Sequence, residues 1–407
     1  MMKIAILLGR GIEGCGATKS AIEFKKYCDK NNIIGDIFAI DDKKWPRRSV
    51  HTFEVKSLYK FDKDDEMKRA IDDMSQYDFM VLYSVPPDAV SEHAQQNFLS
   101  FLSEIRKSIK VFAVQLDHSI HSINRNANFK EICSNVDAIF THSLDGDIAR
   151  WMKKNNITTK LIQQGVGYDF DEVREKYWKP LDQVNLKIAK FVGRSAYWKG
   201  TLEFIELANH LRPHGYATSM EGMEASMAFV TMFFKNKTRH DGPIDGIDLS
   251  THGRKFDYNE SINNPKYGGP TVIYDGYQWD EAEERLSHCG FGADLYNLDA
   301  RKYGRSIEYC QPDIICAGAI PIFHKHFGDN CFYRTENRPL SSYDSGTVWV
   351  NPNNYEEAVD YMLKLSSDKK YFDAQRNKSF EFWKSHADNS LVQKTFIDNM
   401  LKELKND

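Results

Sequence analysis

The sequence predicts an α/β protein built from two doubly wound, Rossmann-like halves. Three observations carry this. Apolar runs of strand length alternate with amphipathic helical stretches from residue 3 to residue 163, and again from residue 184. That is the pattern of parallel sheets covered by helices on both faces. Residues 165–183 break the pattern with a charge-rich stretch that reads as a linker. The 407 residues are enough for two separate cores.

In the first half, strands are expected at Lys3–Leu8, Gly35–Ile40, Phe79–Tyr83, Lys110–Gln115, Ala138–His142 and Thr159–Gln163. Each is rich in apolar residues and short. Helices are expected between them at Lys19–Asn31, Val90–Ser108 and Asp145–Asn155. In the second half, strands are expected at Ile188–Gly193, Thr271–Tyr274, Gly292–Tyr296, Ala319–Phe323 and Thr347–Val350. Helices are expected at Lys199–Leu211, Arg305–Cys316, Tyr355–Leu365 and Lys370–His386. Residues 236–269 are rich in Gly, Asn, Asp and Lys without periodicity and read as an irregular excursion. Leu391–Lys405 reads as a terminal amphipathic helix. The expected domains are therefore 1–183, 184–385 and a C-terminal helix in 386–407. Two such halves would face each other across a cleft, the usual place for a ligand.

Composition narrows the function classes. Lys and Arg number 54 against 58 Asp and Glu, a net charge of −4. No global basic field draws the chain to nucleic acid or a membrane, so a polyanion must be held by local patches. Seven cysteines, at 15, 28, 133, 289, 310, 316 and 331, form no C-x-x-C pair. An odd, unpatterned set fits reduced thiols better than disulfides or zinc. No apolar run reaches membrane-span length, and the first residues read as a buried strand rather than a signal peptide. The expected location is the cytoplasm, with no membrane partner.

The segment Phe191-Val-Gly-Arg-Ser-Ala-Tyr-Trp-Lys-Gly200 is the most informative. A strand ends at Gly193-Arg194 and a helix starts near Lys199. Arg194 and Lys199 then sit at the carboxyl end of a parallel strand, where open α/β sheets bind ligands. A guanidinium and an ammonium at a helix start suit a diphosphate. Taken alone, the segment is equally a surface Arg and Lys after a Gly turn. Gly9–Lys19 holds four glycines in the eight residues from Gly9 to Gly16. Lys19 comes two residues too late for a Walker loop, and Cys15-Gly16 does not fit a dinucleotide fingerprint. The stretch is either a tight strand-to-helix turn or a loop over a phosphorylated or sugar ligand.

Leu116-Asp117-His118-Ser119 closes the fourth strand of the first half. An Asp-His pair there can take a proton from an alcohol or hold a sugar hydroxyl, or simply cap a turn. His121, Asn124 and Arg125 follow in a polar segment suited to phosphates or to water. Glu308 and Asp313 are expected on one helix, about 140° apart around its axis. Beside Arg194 and Lys199, such acids would take hydroxyls while the cations take phosphates.

The blocks Arg10–Lys19, Asp117–Ser119, Gly193–Gly200, Met220-Glu221-Gly222, Ser306–Phe323 and Pro339–Trp349 resemble, in the same order, the DNA α-glucosyltransferase family of T4-like phages. The resemblance covers nearly the whole chain. It implies the GT-B fold and transfer, with retention, from a UDP-sugar to 5-hydroxymethylcytosine in double-stranded DNA, in the cytoplasm of an infected host. It implies that Arg194 and Lys199 hold the diphosphate and that Asp313 holds the ribose. Glu308 would lie near the sugar or diphosphate, and Gly14, Cys15 and Gly16 would close over the donor. Asp117, with His118, would meet the acceptor hydroxyl, and His121, Asn124 and Arg125 would meet DNA. A divalent ion can accompany such a donor, but no ligand set for one is evident.

This chain departs from the family pattern at Leu116, where the family has His. A histidine at this strand end commonly meets the exocyclic hydroxymethyl of a hexose in GT-B enzymes. Leucine would leave a buried 6-hydroxyl unpaired, at about 1–3 kcal/mol. A pentose has no such hydroxyl, so the expected donor is a UDP-pentose such as UDP-arabinose. UDP-glucose is the alternative, with water or another side chain replacing the histidine. A P-loop-like nucleotide hydrolase and a non-catalytic DNA- or sugar-binding protein are the competing function classes.

Overall fold

A computed structural model describes residues 1–9, 16–41, 53–84, 91–115, 128–142, 144, 146–193, 199–221, 271–273, 281–296, 309–330 and 338–404. The chain divides into two units. The first comprises residues 1–169, 301–307 and 387–407, the second residues 170–300 and 308–386. The division thus falls ahead of the expected 183/184 boundary. The excursion expected at 236–269 lies outside the described residues.

The first unit holds strands β1 (Lys3–Leu8), β2 (Ile34–Ile40), β3 (Ser57–Tyr59), β4 (Phe79–Tyr83), β5 (Lys110–Val114), β6 (Ala138–Thr141) and β7 (Lys160–Gln163). They form one parallel sheet in the order β3-β2-β1-β4-β5-β6-β7. Its helices are α1 (Gly16–Lys30), α2 (Asp64–Met74), α3 (Glu92–Ile105), α4 (Phe129–Ser134) and α5 (Asp147–Lys154). β1 shows why the strands read as unbroken apolar runs. Ala5 and Leu7 join one core with Phe98, Phe101 and Leu102 of α3. Ile4, Ile6 and Leu8 join the opposite core with Ala21 and Phe24 of α1. Successive side chains leave opposite faces, and both faces are covered. β3 and α2 were not legible as elements. β3 is three residues long, and α2 (DDEMKRAIDDM) buries only Ala70 and Met74.

The second unit holds α6 (Phe170–Tyr177), β8 (Asn185–Val192), α7 (Thr201–Leu211), β9 (Ala217–Glu221), β10 (Thr271–Ile273), α8 (Ala282–Leu286), β11 (Cys289–Asp294), α9 (Cys310–Cys316), β12 (Ile320–His324), α10 (Lys325–Asn330), β13 (Val348–Val350), α11 (Tyr355–Ser367) and α12 (Lys369–Ala387). Its parallel sheet runs β10-β9-β8-β11-β12-β13. The stretch expected as a linker carries α6. Phe170 is fully buried against Phe380. The Arg174 guanidinium lies 4.3 Å from both the Trp178 and Phe380 ring centres. Aromatic packing holds this charged helix where periodicity gave no signal.

The last helix, α13 (Asn389–Leu404), belongs to the first unit. Phe396, Ile397 and Met400 complete the core under α1. Phe396 meets Phe140 edge-on at 4.4 Å, and Asn389 donates to the Glu23 carbonyl at 2.8 Å. Among the described residues, no helix is long and apolar enough to cross a membrane.

Candidate active site

In both sheets the strand that comes first in sequence lies inside, and the order reverses beside it. Such a reversal opens a crevice at the carboxyl ends of the two central strands, where connections leave in opposite directions. In the second unit these strands are β8 and β11.

β8 ends at Gly193, whose φ of +143° suits glycine. Its N–H donates to the Glu221 carbonyl at 2.9 Å, tying the turn to the end of β9. Gly200 (φ +75°) precedes α7, and a Cβ there would lie 1.9 Å from the Leu295 carbonyl oxygen. The backbone after β8 thus presses on the backbone after β11. This contact places Lys199 across the reversal, with Nζ 5.5 Å from the centre of the buried Tyr296 ring.

α9 is set down on β11 by another glycine. A Cβ on Gly292 would meet Ile314 at 2.6 Å, so only glycine lets the helix come this close. Two residues on, Asp294 ends β11 and is 3% exposed. Its Oδ2 accepts the thiol of Cys310 at 3.1 Å. Burial pushes the Cys310 thiol up, nearby Asp294 and Asp313 push the same way, and Lys199 opposes them. Lys199, Asp294 and Asp313 therefore gather around Cys310. Asp313 is buried on α9, and Gly318 (φ +86°) turns the chain into β12.

A second charged cluster lies under this edge. Glu221 is 1% exposed and accepts from Lys190 at 2.9 Å, Arg285 at 2.9 Å and Ser219 at 3.0 Å. Arg285 also meets Glu281 at 3.8 Å, so two cations and two carboxylates balance in this cluster.

Of the residues expected at the site, Lys199 and Asp313 stand together at this crevice. Gly16 opens α1 in the first unit and is exposed. Gly14, Cys15, Leu116, Asp117, His118, His121, Asn124, Arg125, Arg194 and Glu308 lie outside the described residues. Of the helix expected over Arg305–Cys316, the described part runs Cys310–Cys316 and carries Asp313, while Arg305–Glu308 lie outside the described residues. Lys19, at the end of the glycine-rich stretch, is buried on α1 with Nζ 4.8 Å from the Tyr168 ring centre. Asp294, Tyr296, Cys310 and Glu221 were not singled out from sequence. The only signal for Asp294 was an acid closing an apolar strand, and for Glu221 the Met220-Glu221-Gly222 block. Among the described residues, no group of three or more His, Cys, Asp or Glu side chains could hold a metal ion.

The sequence model for the DNA alpha-glucosyltransferase family matches residues 15–370. The DNA alpha-glucosyltransferase of Enterobacteria phage T4 is 32% identical over 418 residues, covering 98% of this chain and all of that protein. A solved alpha-glucosyltransferase, in complex with UDP and a 13-mer DNA containing a HMU base, matches at 32% identity and a TM-score of 0.84, over 98% of each chain. Another, in complex with UDP-glucose and DNA containing an abasic site, matches at 31% identity and a TM-score of 0.84, over 98% of this chain and 99% of that one.

Proposed function

This chain belongs to the DNA alpha-glucosyltransferase family, and from that membership we propose that it transfers glucose from UDP-glucose to the hydroxymethyl group of 5-hydroxymethylcytosine in DNA, with retention at the anomeric carbon. The observation that carries the reading is the match of nearly the whole chain to a DNA alpha-glucosyltransferase at 32% identity. The crevice between β8 and β11 supports it. A cation, Lys199, and two buried acids meet there at the carboxyl edge, a composition that suits a sugar nucleotide.

In this reading Arg194 and Lys199 hold the diphosphate and stabilise the charge that grows on the leaving UDP. Asp313 holds a ribose hydroxyl, Glu308 lies nearer the sugar, and Gly14–Gly16 closes over the donor. The acceptor oxygen forms a bond to the anomeric carbon from the same face as the departing phosphate. The bond from that carbon to the phosphate oxygen breaks, and the hydroxyl proton passes to Asp117 or to the leaving phosphate. His118 assists at the acceptor side. The target cytosine leaves the base stack to reach the site, and His121, Asn124 and Arg125 steady the flanking phosphates.

The UDP-pentose expectation rests on Leu116 alone, and no comparison supports it. UDP-glucose is the sugar donor named in a relative's complex. A donor screen on 5-hydroxymethylcytosine DNA tests the choice, with UDP-glucose, UDP-galactose, UDP-xylose and UDP-arabinose supplied in turn. Nucleoside mass spectrometry reads the increment. A hexose increment with UDP-glucose is expected. A pentose increment would transfer the donor assignment to UDP-arabinose or UDP-xylose and give Leu116 its meaning. No increment with any donor would overturn the transferase reading.

A further inference from the structure

The donor crevice contains a carboxylate that neither the motifs nor the comparisons assign. Asp294 closes β11 at the reversal of strand order and is 3% exposed. A carboxylate has room for about four hydrogen bonds. Among the described residues it forms one, from the Cys310 thiol to Oδ2 at 3.1 Å, and a thiol is a weak donor. Its second carboxylate oxygen has no hydrogen-bond partner among the described residues, and an enclosed polar atom is better satisfied when a donor meets it. Burial and the neighbouring acids keep the Cys310 thiol protonated, so it remains a fixed donor to one oxygen. The other oxygen is left for a ligand.

The sign of the charge limits that ligand. A carboxylate repels phosphate oxygens, and Lys199, over the Tyr296 ring, is a described group suited to them. What a carboxylate accepts from a sugar nucleotide is a hydroxyl hydrogen. We propose that Asp294 is a further donor-binding residue: the Cys310 thiol holds one carboxylate oxygen, and the other accepts a hydroxyl of the UDP-sugar. The proposal rests on the donor-site reading above. It adds a second acid to the hydroxyl-binding side, beside Asp313.

Calorimetric titration of the full chain with UDP, UDP-glucose and 2′-deoxy-UDP tests it, using the wild type, the near-isosteric Asp294→Asn and Asp294→Ala. Circular dichroism confirms that each variant is folded. Both variants should bind UDP-glucose about 10- to 100-fold more weakly, the worth of a hydrogen bond to a charged group. An equal loss with UDP places the hydroxyl on the ribose. In that case 2′-deoxy-UDP, or its 3′-deoxy counterpart, should be penalised in the wild type and not further in Asp294→Ala. A loss confined to UDP-glucose places the hydroxyl on the transferred sugar, and UDP-deoxyglucose analogues should show the same levelling. Wild-type affinity in folded Asp294→Asn and Asp294→Ala overturns the proposal, as does a loss that no deoxy analogue levels. A wild type that binds neither UDP nor UDP-glucose would remove the donor-site reading itself.

Discussion

Gly200 and Leu295 are in backbone contact: a Cβ on Gly200 would sit 1.9 Å from the Leu295 carbonyl oxygen. The two residues follow the two central strands of the second sheet, β8 and β11. Their contact sets the width of the crevice that Lys199 and Asp294 flank. A chain without a glycine here would have to part these two connections.

Gly200→Ala therefore meets two penalties. The φ of +75° is unfavourable for any residue with a Cβ, and the carbonyl occupies the space that Cβ needs. Strain at such a position costs about 1–3 kcal/mol, and the clash adds to it. The expected result is a lower melting temperature together with weaker UDP binding, because Lys199 moves with the turn. Thermal unfolding and calorimetry measure the two effects. Unchanged UDP affinity would separate the turn from the donor site.

Glu221 is held by two cations in near-complete burial. Glu221→Gln removes the charge that Lys190 and Arg285 share, and leaves buried Lys190 with a neutral partner. Breaking a buried ion cluster from one side costs about 3–5 kcal/mol. Lys190→Met should cost less, since Arg285 still meets the carboxylate. Urea unfolding of the two variants gives the comparison. Equal losses, or a milder effect in Glu221→Gln, would show that the cluster does not hold the β8–β9 edge.

His324 ends β12 in a buried position. Burial lowers its pKa, nearby His326 adds to the lowering and Asp329 opposes them, with the net result at about 4. Its Nδ1 accepts the His326 N–H at 3.0 Å, a bond that protonation of Nδ1 would break. The unfolded chain takes up this proton near pH 6.5 and the folded chain only near 4. The contribution to stability is thus complete above about pH 6.5 and is lost as pH falls toward 4. The loss is on the order of 3 kcal/mol. Urea unfolding at pH 7.5 and at pH 4.5 should show a smaller acid-induced loss in His324→Asn than in the wild type. Parallel losses would place the acid sensitivity in other groups.

What could be read from the sequence, and what could not, follows from where partners lie. β1 is legible to the residue because both its faces are buried and every interior position is apolar. β9 is not, because ATSME is polar, although all five residues are buried. The partners that satisfy Glu221 come from Lys190, on another strand, and Arg285, on another helix. Local periodicity cannot register either. Lys199 was legible because a glycine turn announces the end of a strand and the start of a helix. Asp294 was not, since an acid at the end of an apolar strand looks like a solvated cap. Only the thiol of Cys310, brought over by α9, shows that it is enclosed. Lys19 was legible in the negative: its spacing from Gly16 does not fit a Walker loop, and the helix buries it against Tyr168.

Lys199 gives the most direct test of the chemistry. Its ammonium stands over the face of Tyr296, next to the acids at the end of β11 and on α9. A charge that only stacked on the ring would be worth about 0.5–2 kcal/mol to folding and nothing to turnover. A charge that meets the leaving diphosphate grows in value as the sugar bond breaks, because the phosphate gains negative charge only then. Lys199→Met keeps the apolar stem over the ring and removes the charge. It should weaken UDP binding modestly and lower kcat/KM for UDP-glucose by about 100- to 1,000-fold, with the greater part in kcat. Steady-state kinetics on hydroxymethylated DNA, with calorimetry of UDP, separates the two contributions. A loss of stability with kcat intact would confine Lys199 to packing against Tyr296 and leave Arg194 as the cation that the leaving group requires.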